Sequence, residues 1–403
     1  MAGVTTTNTA AILKTLWPQN RVDDLVYKDH PLYAMIPKRE DFYGANLVLA
    51  FRYADSQGRS SSFAKAQANV GNFASAKVTL TRVKDYQICQ LDSEAIEASE
   101  NDKGALIAAL DTELESGFNN ISRSLATALY GTGSGAIGRV GSFTTTVITL
   151  KNIDDVAKFE VGMKLTASAT DTGATRNSSA ATTITGVDRD LGTVTCDTTL
   201  IAALANDDYL QVEGDAQNGG TALKVTGLPG WIPRTAPSAT AFFGLDRTPD
   251  VTRLGGMRID CSGLNPEEAA VTILSKQSRE GGRPSHMFTN HKDFRGVEIS
   301  IGSKVEYEMA SVGNIGFTGI KIIGPKGVAT MYADQDCDSG LCYSLQLDTW
   351  KLFSLKKAPR IFDRDGNKLS RVYNADSWEA RIGYFAQLGC TAPGYNANVL
   401  MPA

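Results

Sequence analysis

The sequence is poor in the residues that enzymes most often use for catalysis, and it lacks the long apolar runs that cross membranes. It has three histidines in 403 residues, so general-base chemistry would have to rest on carboxylates. No stretch of about 18 consecutive apolar residues occurs, so no transmembrane helix is expected. The first residues contain no basic segment followed by an apolar core, and a secretory signal is therefore not expected either.

Cysteine and net charge are also low. Six cysteines are too few and too scattered for a disulfide framework, and we expect them to stay reduced in a cytosol. Forty basic and 44 acidic residues give a net charge of −4, which argues against a protein whose main role is to coat nucleic acid. The composition is typical of a soluble intracellular protein with two to four structural units.

The N-terminal part of the chain predicts an arm followed by a long β-hairpin. Residues 1–40 have no sustained periodicity and bury too little to fold alone, so they need another surface. Residues 46–53 and 76–91 alternate like strands and are joined by a polar tip, residues 55–71. A structureless loop of that length is uncommon and usually has a binding role. The hairpin, residues 44–92, has six basic and three acidic residues, a net charge of +3.

The clearest helix is predicted over residues 101–130. Asn101 can cap its start and Gly131 can end it, and it would be about 45 Å long. Residues 93–130 contain seven acids and two bases, so this region is opposite in charge to the hairpin. Apolar residues recur at every third or fourth position and form one stripe, namely Leu106, Leu110, Leu114, Phe118, Ile121, Leu125 and Leu129.

The sequence pattern changes twice in the rest of the chain. Residues 141–215 contain fifteen threonines and short β-type runs without a helical period, which predicts an inserted all-β domain. After Trp231 the pattern is α+β. A capping box at Asn265 starts a helix that ends at Gly281. A strand at 286–289, a helix at 292–301 and strand-like runs at 320–323, 328–333, 343–355 and 378–389 follow.

No motif predicts an active site, a cofactor site or a metal site. GxGxxG at 133–138 follows a helix and precedes β structure, the reverse of a dinucleotide site, so a flexible linker is the better interpretation. Asp334, Asp336 and Asp338 alternate as in a calcium loop, but the required glycine and glutamate are absent, and a solvated turn is expected. In the hairpin tip Lys65 is interpreted as a solubilising charge, and Phe63 as an anchor for another chain.

These elements together resemble the major capsid proteins of tailed double-stranded DNA bacteriophages, the Hong Kong 97 fold, in a subgroup with a β insertion. The arm, the basic hairpin, the long acidic helix and a later α+β domain occur in that family in the same order. The resemblance is sharpest over FEVGMKL (159–165), DYLQVEGD (208–215), LPGWIP (228–233), SREGGRP (278–284), IGPKG (323–327), LQLDTWKLFSL (345–355) and RIGYFAQLGC (381–390).

The resemblance implies a domain for each segment. These are an N-terminal arm (1–43), an extended β-hairpin loop (44–92), a peripheral domain with the spine helix (93–140), the inserted all-β domain (141–215), a peripheral–axial connection (216–264), an axial domain (265–350) and return strands of the peripheral domain (351–403).

It also implies a function and partners. The chain would be a non-enzymatic structural protein that assembles, as hexamers and pentamers in the host bacterial cytoplasm, into the icosahedral head of the virion. Its partners would be further copies of itself, a portal protein, a possible cement or decoration protein, and packaged double-stranded DNA contacted without sequence specificity. Because the hairpin starts by residue 46, no N-terminal scaffolding segment is expected, and scaffolding would come from a separate protein.

We expect the positive hairpin of one subunit to dock on the negative helix of a neighbour. Two alternatives stay open from the sequence, namely another virion component, such as a tail or decoration protein, and an intracellular α+β enzyme. The residues predicted to make inter-subunit contacts are Arg59, Phe63, Lys65, Arg82, Glu113, Glu115 and Trp17.

Overall fold

The computed structural model describes residues 29–94, 103–176, 181–197, 204–217, 221–302, 307–312, 315–363 and 369–402. The α-helices are α1 (Pro31–Met35), α2 (Phe63–Ala68), α3 (Lys103–Leu129), α4 (Leu228–Trp231), α5 (Pro266–Arg279) and α6 (His291–Ile301). The strands are β1 (Lys38–Arg39), β2 (Asn46–Ala54), β3 (Ala74–Thr81), β4 (Val83–Asp92), β5 (Ala136–Phe143), β6 (Val147–Leu150), β7 (Lys164–Ser168), β8 (Thr182–Asp188), β9 (Thr193–Cys196), β10 (Tyr209–Val212), β11 (Met257–Asp260), β12 (His286–Thr289), β13 (Tyr307–Val312), β14 (Ile315–Gly324), β15 (Gly327–Ala333), β16 (Leu341–Leu345), β17 (Trp350–Ser354), β18 (Arg360–Ile361), β19 (Leu369–Arg371), β20 (Ser377–Cys390) and β21 (Ala397–Leu400). Helices beside mainly antiparallel sheets agree with the predicted α+β class.

The first sheet is built around β20, which pairs with β4, β17, β18 and β19, while β1 joins through a parallel pair with β17. The β4 ladder is antiparallel and runs from Val83 opposite Ala386 to Asp92 opposite Ser377. The expected single strand 76–91 is therefore wrong, because the chain changes partner at Arg82. Its first part stays in the hairpin and the remainder belongs to this sheet.

The hairpin itself consists of β2 and β3, paired antiparallel from Asn46 opposite Thr81 to Ala54 opposite Ala74. Val78 and Leu80 at its base are fully buried, because β3 lies against β20. Residues 44–81 still contain four basic residues and one acidic residue, so the shorter hairpin keeps the net charge of +3.

The predicted long helix is confirmed as α3, which we call the spine helix. Its stripe residues Ile121, Leu125 and Leu129 are buried, and the helix packs on β4 and β20. Gly117 allows the closest approach, since a Cβ atom there would lie 2.4 Å from Cys89 Sγ and 2.9 Å from Ile382 Cδ1. The periodic stripe therefore marks the face that covers the first sheet.

A closed barrel of six strands, in the order β10-β5-β6-β9-β8-β7, follows the spine helix. Its apolar interior is filled by side chains such as Val140, Phe159 and Leu210. The barrel begins at Ala136, so the flexible linker expected over the GxGxxG motif is wrong. A Cβ atom at Gly135 would lie 2.4 Å from the Asp215 carbonyl oxygen, and one at Gly138 would meet the Phe159 ring at 3.0 Å. These glycines permit close packing at the barrel entrance.

The second sheet has the order β11-β21-β16-β12-β15-β14-β13. Helices α5 and α6 cover one of its faces, with Ile273, Leu274 and Val297 in the core between them. The strand predicted at 286–289 and the helix predicted at 292–301 are confirmed as β12 and α6. The helix predicted to start at Asn265 is confirmed as α5, with Asn265 as its N-cap residue and Pro266 in its first turn, but the Asn265 side chain forms no cap hydrogen bond.

Two predictions about the C-terminal part of the chain are wrong. The run 343–355 is two strands, because a 3-10 helix at Leu347–Thr349 carries the chain from β16 in the second sheet to β17 in the first. The last strand, β21, pairs with β11 and β16 in the second sheet, so residues 397–400 are not a return strand of the first sheet.

The predicted arm divides into two parts. Residues 1–28 lie outside the described residues, whereas residues 30–42 pack on their own subunit through three buried side chains. Leu32, Ile36 and Phe42 are buried among residues of the first sheet and the spine helix. The apolar clusters of this segment therefore have a surface within the same chain, contrary to the expectation that all of residues 1–40 need another one.

Two helical glycines provide a test of the spine-helix contact. Gly117→Ala should destabilise the chain by about 1 kcal/mol, because overpacking costs more than the gain in helix propensity. Gly296→Ala in α6 meets nothing within 4 Å and should stabilise by about 0.5–1 kcal/mol. Urea unfolding of both variants checks this, and stabilisation by Gly117→Ala would show that the helix is not in close contact with the sheet.

Candidate functional site

The tip of the hairpin is an exposed surface that combines basic and apolar side chains. Arg59 and Lys65 are exposed, and 83% of Phe63, 77% of Val70 and 59% of Phe73 are accessible. The tip is not structureless, since α2 forms over an alanine-rich stretch with high helix propensity. Large apolar groups that are exposed together are typical of protein–protein contact surfaces.

Arg82, predicted as a contact residue like Arg59 and Lys65, instead belongs to the base of the hairpin. Its guanidinium donates hydrogen bonds to the carbonyl oxygens of Phe42, at 2.6 Å, and Gly44. It also lies 4.9 Å from the centre of the Phe42 ring. These bonds join the end of the hairpin to the segment that precedes it, so Arg82 has a structural role within its own subunit.

The predicted acidic partner surface is described in part. Glu113 is half-buried on the spine helix, and its backbone carbonyl accepts a bond from the Cys89 thiol at 3.6 Å. Glu115, two residues later and about half a turn round the helix, is exposed. Trp17 lies outside the described residues. The structure of one subunit therefore places two acids on the spine helix and does not bring them to the hairpin tip of the same chain.

Asp334 and Asp336 form a buried polar cluster rather than the expected solvated turn. Asp336 lies 2.6 Å from His30 Nδ1 and accepts a hydrogen bond from Thr127 at 3.1 Å. Asp334 accepts hydrogen bonds from the Tyr130 hydroxyl at 2.8 Å and from the Leu32 amide at 3.2 Å. The cluster fastens the N-terminal segment and the end of the spine helix to the second sheet.

Burial and then the neighbouring Asp336 carboxylate raise the pKa of Asp334 to about 7. Its hydrogen bonds from Tyr130 and Leu32 act in the opposite direction and favour the ionised form. In the folded chain this carboxyl therefore holds a proton at pH values where an unfolded chain has lost it.

Two buried lysines attach the barrel to the body. Lys158 of the barrel contacts Asp155 at 2.9 Å and Asp338 at 2.7 Å. Lys224, after the barrel, contacts Asp85 of β4 at 2.6 Å and Asp215 at 2.9 Å. In both cases burial lowers the pKa of the lysine, but the paired carboxylates outweigh it and raise the pKa above its ordinary value. Both ammonium groups therefore stay charged at neutral pH.

A third link connects the barrel with the spine helix. Arg123 of the helix contacts Glu160 at 2.6 Å, and Arg189 of the barrel contacts the same carboxylate at 3.0 Å. Asp338, the third member of the Asp334–Asp338 triplet, is thus part of the barrel attachment and not of a cation loop.

The described residues offer no arrangement for metal binding. No group of three His, Cys, Asp or Glu residues in this part of the chain could hold a metal ion. The His286 ring lies beside those of Phe288 and Tyr332, at centroid distances of 6.2 Å and 5.8 Å. All six cysteines are buried, and burial raises the pKa of Cys390 to about 12, which disfavours a reactive thiolate. No helix among the described residues has the length and apolarity to span a bilayer.

The structural role of Arg82 is tested by comparing it with a tip residue. Arg82→Met removes the hydrogen bonds to Phe42 and Gly44 and should lower the free energy of unfolding by about 1–3 kcal/mol. Arg59→Met at the exposed tip should change it by less than about 0.5 kcal/mol. Urea unfolding of the two monomers measures both values, and equal stabilities would show that Arg82 is not required at the hairpin base.

The pH dependence of stability tests the acid cluster. The folded-state pKa of Asp334 lies above its value of 3.8 in an unfolded chain, so its contribution is greatest at low pH and is lost as pH rises through about 7. Between about pH 5 and pH 8 the wild-type chain should therefore lose stability relative to Asp334→Asn. Urea midpoints at both pH values measure this, with the exposed Asp190→Asn as control. A parallel pH profile for Asp334→Asn and wild type would contradict the prediction.

Comparison with solved structures finds the same fold in virus-like shells. A chain of the cyanophage A-1(L) capsid asymmetric unit superposes with a TM-score of 0.54 over 99% of this chain and 99% of that chain, at 11% identity. A chain of the native GTA particle capsid gives a TM-score of 0.51 over 100% and 99%, at 8% identity. No protein-family model and no curated protein matches the sequence. The chain therefore has the fold of these capsid subunits.

Proposed function

We propose that this chain is a major capsid protein that assembles, as hexamers and pentamers, into the icosahedral head of a tailed bacteriophage. The observation that carries the proposal is the likeness to a phage capsid subunit over 99% of both chains. The likeness includes the whole chain and not one domain of it. An enzyme is less compatible, because the described residues bring no catalytic groups together.

Within the proposed shell, each part of the subunit has a role. The first sheet and the spine helix form the peripheral domain, and the second sheet with α5 and α6 forms most of the axial domain around the symmetry axes. The barrel is an additional domain on the shell, and residues 1–28 extend along a neighbouring subunit. These assignments follow the family resemblance, adjusted to the strand pairings of the described residues.

The hairpin is proposed as a main lateral contact. A two-stranded hairpin is marginally stable alone, and this one presents Phe63, Val70 and Phe73 to solvent. Its net charge of +3 and the net charge of −5 over residues 93–130 favour docking between subunits. Arg59, Phe63 and Lys65 would lie on the docking side, with Glu113, Glu115 and their neighbours as the receiving surface.

The proposal includes partners other than the chain itself. These are a separate scaffolding protein, a portal protein, a possible cement protein on the shell, and double-stranded DNA inside it. A chain with a net charge of −4 suits a container that contacts DNA without binding it tightly. The subunit would be synthesised and assembled in the cytoplasm of the host bacterium and end in the virion.

Substitution at the hairpin tip tests the proposal. The wild-type chain, expressed in bacteria with its scaffolding protein where one is needed, should form closed shells visible by negative-stain microscopy. The double variant Arg59→Glu/Lys65→Glu and the single variant Phe63→Ser should remain small oligomers in size-exclusion chromatography. Their unfolding free energies should stay within about 0.5 kcal/mol of wild type, because all three side chains are exposed.

Val161→Ser is the matched control for Phe63→Ser, because it removes an exposed apolar side chain from a barrel turn and should leave the shells intact. Normal shells from both tip variants would reject the hairpin contact but leave the capsid function standing. A wild-type chain that stays monomeric with scaffolding protein present would reject the capsid function.

A further inference from the structure

The hairpin formed by β2 and β3 is bonded to its own subunit at two places beyond its base. The amide of Thr79 in β3 donates a hydrogen bond to the carbonyl oxygen of Phe243 at 3.0 Å. The guanidinium of Arg253 donates one to the carbonyl oxygen of Tyr53 in β2. Thr79 lies opposite Val48, and the strand from Val48 to Tyr53 spans about 17 Å. Two contacts this far apart fix a direction for the hairpin, which a single contact cannot do.

The first contact comes from a tight turn whose backbone is strained. Phe242 and Leu245 exchange backbone hydrogen bonds at 2.9 Å and 3.0 Å. The two residues between them both have positive φ, 49° at Phe243 and 82° at Gly244. Glycine adopts this conformation readily, whereas phenylalanine does so only at a cost in free energy. A residue in an unfavourable conformation persists when its surroundings hold it there, and such residues are concentrated at functional positions.

Aromatic contacts and a buried arginine hold this turn. The rings of Phe242 and Phe243 lie 5.1 Å and 6.0 Å from the ring of Trp231, which is buried in the core. Arg247 donates hydrogen bonds to the carbonyl oxygens of Gly230 and Trp231 at 3.0 Å and 3.1 Å, and its guanidinium lies 4.1 Å from the centre of the Phe242 ring. Burial lowers the pKa of Arg247 to about 10, so this cation persists at neutral pH. The turn is therefore anchored in the core of its own subunit.

The second contact lies at an irregularity of the hairpin itself. The register of β2 and β3 shifts between Arg52 and Ala54, so Tyr53 lies in a bulge, where the ladder leaves one residue unpaired. Arg253, which binds its carbonyl oxygen, is positioned by the turn before β21. The carbonyl oxygen of Arg253 accepts a hydrogen bond from the Gly394 amide at 3.0 Å, and a Cβ atom at Gly394 would lie 2.7 Å from the Arg253 Cα atom. The hairpin thus departs from a regular ladder where the body of the subunit meets it.

We propose that residues 242–253 form a strap that fixes the direction of the hairpin before assembly. The tip then reaches a neighbouring subunit at one angle, and the shell closes with one curvature. The inference rests on the proposed function and adds to it the element that orients the tip. Leu47, Leu49 and Phe51 of β2 pack against the main core, so the strapped position is one in which the hairpin covers its own apolar face. A hairpin held at its base alone would turn about that base, and subunits would then join over a range of angles.

Hydrogen exchange in the unassembled subunit tests whether the strap holds the hairpin. Gly244→Ala places a Cβ atom where nothing lies within 4 Å, so its effect is confined to the backbone strain of a positive φ. Gly162→Ala in a barrel turn is the matched control, because it also has a positive φ, 90°, and open space around the new Cβ atom. Gly244→Ala should speed exchange of the Thr79 amide about tenfold, and Gly162→Ala should leave it unchanged. Mass spectrometry of the segment 74–81 measures this, and an equal rate in Gly244→Ala and wild type would overturn the inference whether or not the chain assembles.

The shape of the shells tests what the strap is for. Arg253→Met removes the second contact, and Arg279→Met, at an exposed position at the end of α5, is its control. With scaffolding protein present, Gly244→Ala and Arg253→Met should give shells of variable diameter or sheets that do not close, whereas both control variants should give shells of wild-type diameter in negative-stain microscopy. Uniform shells of wild-type diameter from both strap variants would overturn the inference and leave the capsid function standing. A wild-type chain that forms no shells would reject the capsid function, and with it the role of the strap in curvature.

Discussion

Burial of one face of the spine helix against β4 and β20 is the contact on which the other elements depend. Ile121, Leu125 and Leu129 are buried on the side of the helix that faces the sheet. Gly117 lets the helix approach Cys89 and Ile382 closely. The end of the same helix contributes Thr127 and Tyr130 to the acid cluster and Arg123 to the barrel. The first sheet, the second sheet and the barrel therefore all contact the spine helix.

The parts of this fold that sequence reasoning found are those with a local signal. The spine helix was predictable because a stripe repeated every three or four residues is a property of neighbouring positions. The sequence pattern does not separate the two strands within 343–355, because both are apolar and the 3-10 turn between them has no breaker residue. The division into β3 and β4 at Arg82 was hidden for a similar reason, since the alternation of apolar and polar residues does not reveal a change of partner strand. Sheet membership is set by residues far away in the chain.

The partners of charged residues in the candidate site could not be predicted from local sequence either. Arg59, Lys65 and Arg82 look equivalent in a basic segment, but only Arg82 meets carbonyl oxygens, and these come from residues 42 and 44. Asp334 and Asp336 read as a solvated turn because no partner is near in sequence. Their partners, at positions 30, 127 and 130, come from segments at least 200 residues away. Exposure at the tip, by contrast, followed from its lack of core-forming residues.

The barrel is attached to the rest of the subunit by salt bridges rather than by apolar contacts, and this affects geometry more than stability. Taking charges out of water costs free energy that their attraction only partly returns, so buried ion pairs add little to stability. They do require a defined geometry, because a misplaced Lys158 or Lys224 would leave an ammonium buried without its carboxylates. The contacts of Lys158 with Asp338, Lys224 with Asp215 and Arg123 with Glu160 join the barrel to three separate segments of the chain. We infer that the barrel keeps one orientation on the spine helix, so that subunits meet their neighbours with the barrel already in place.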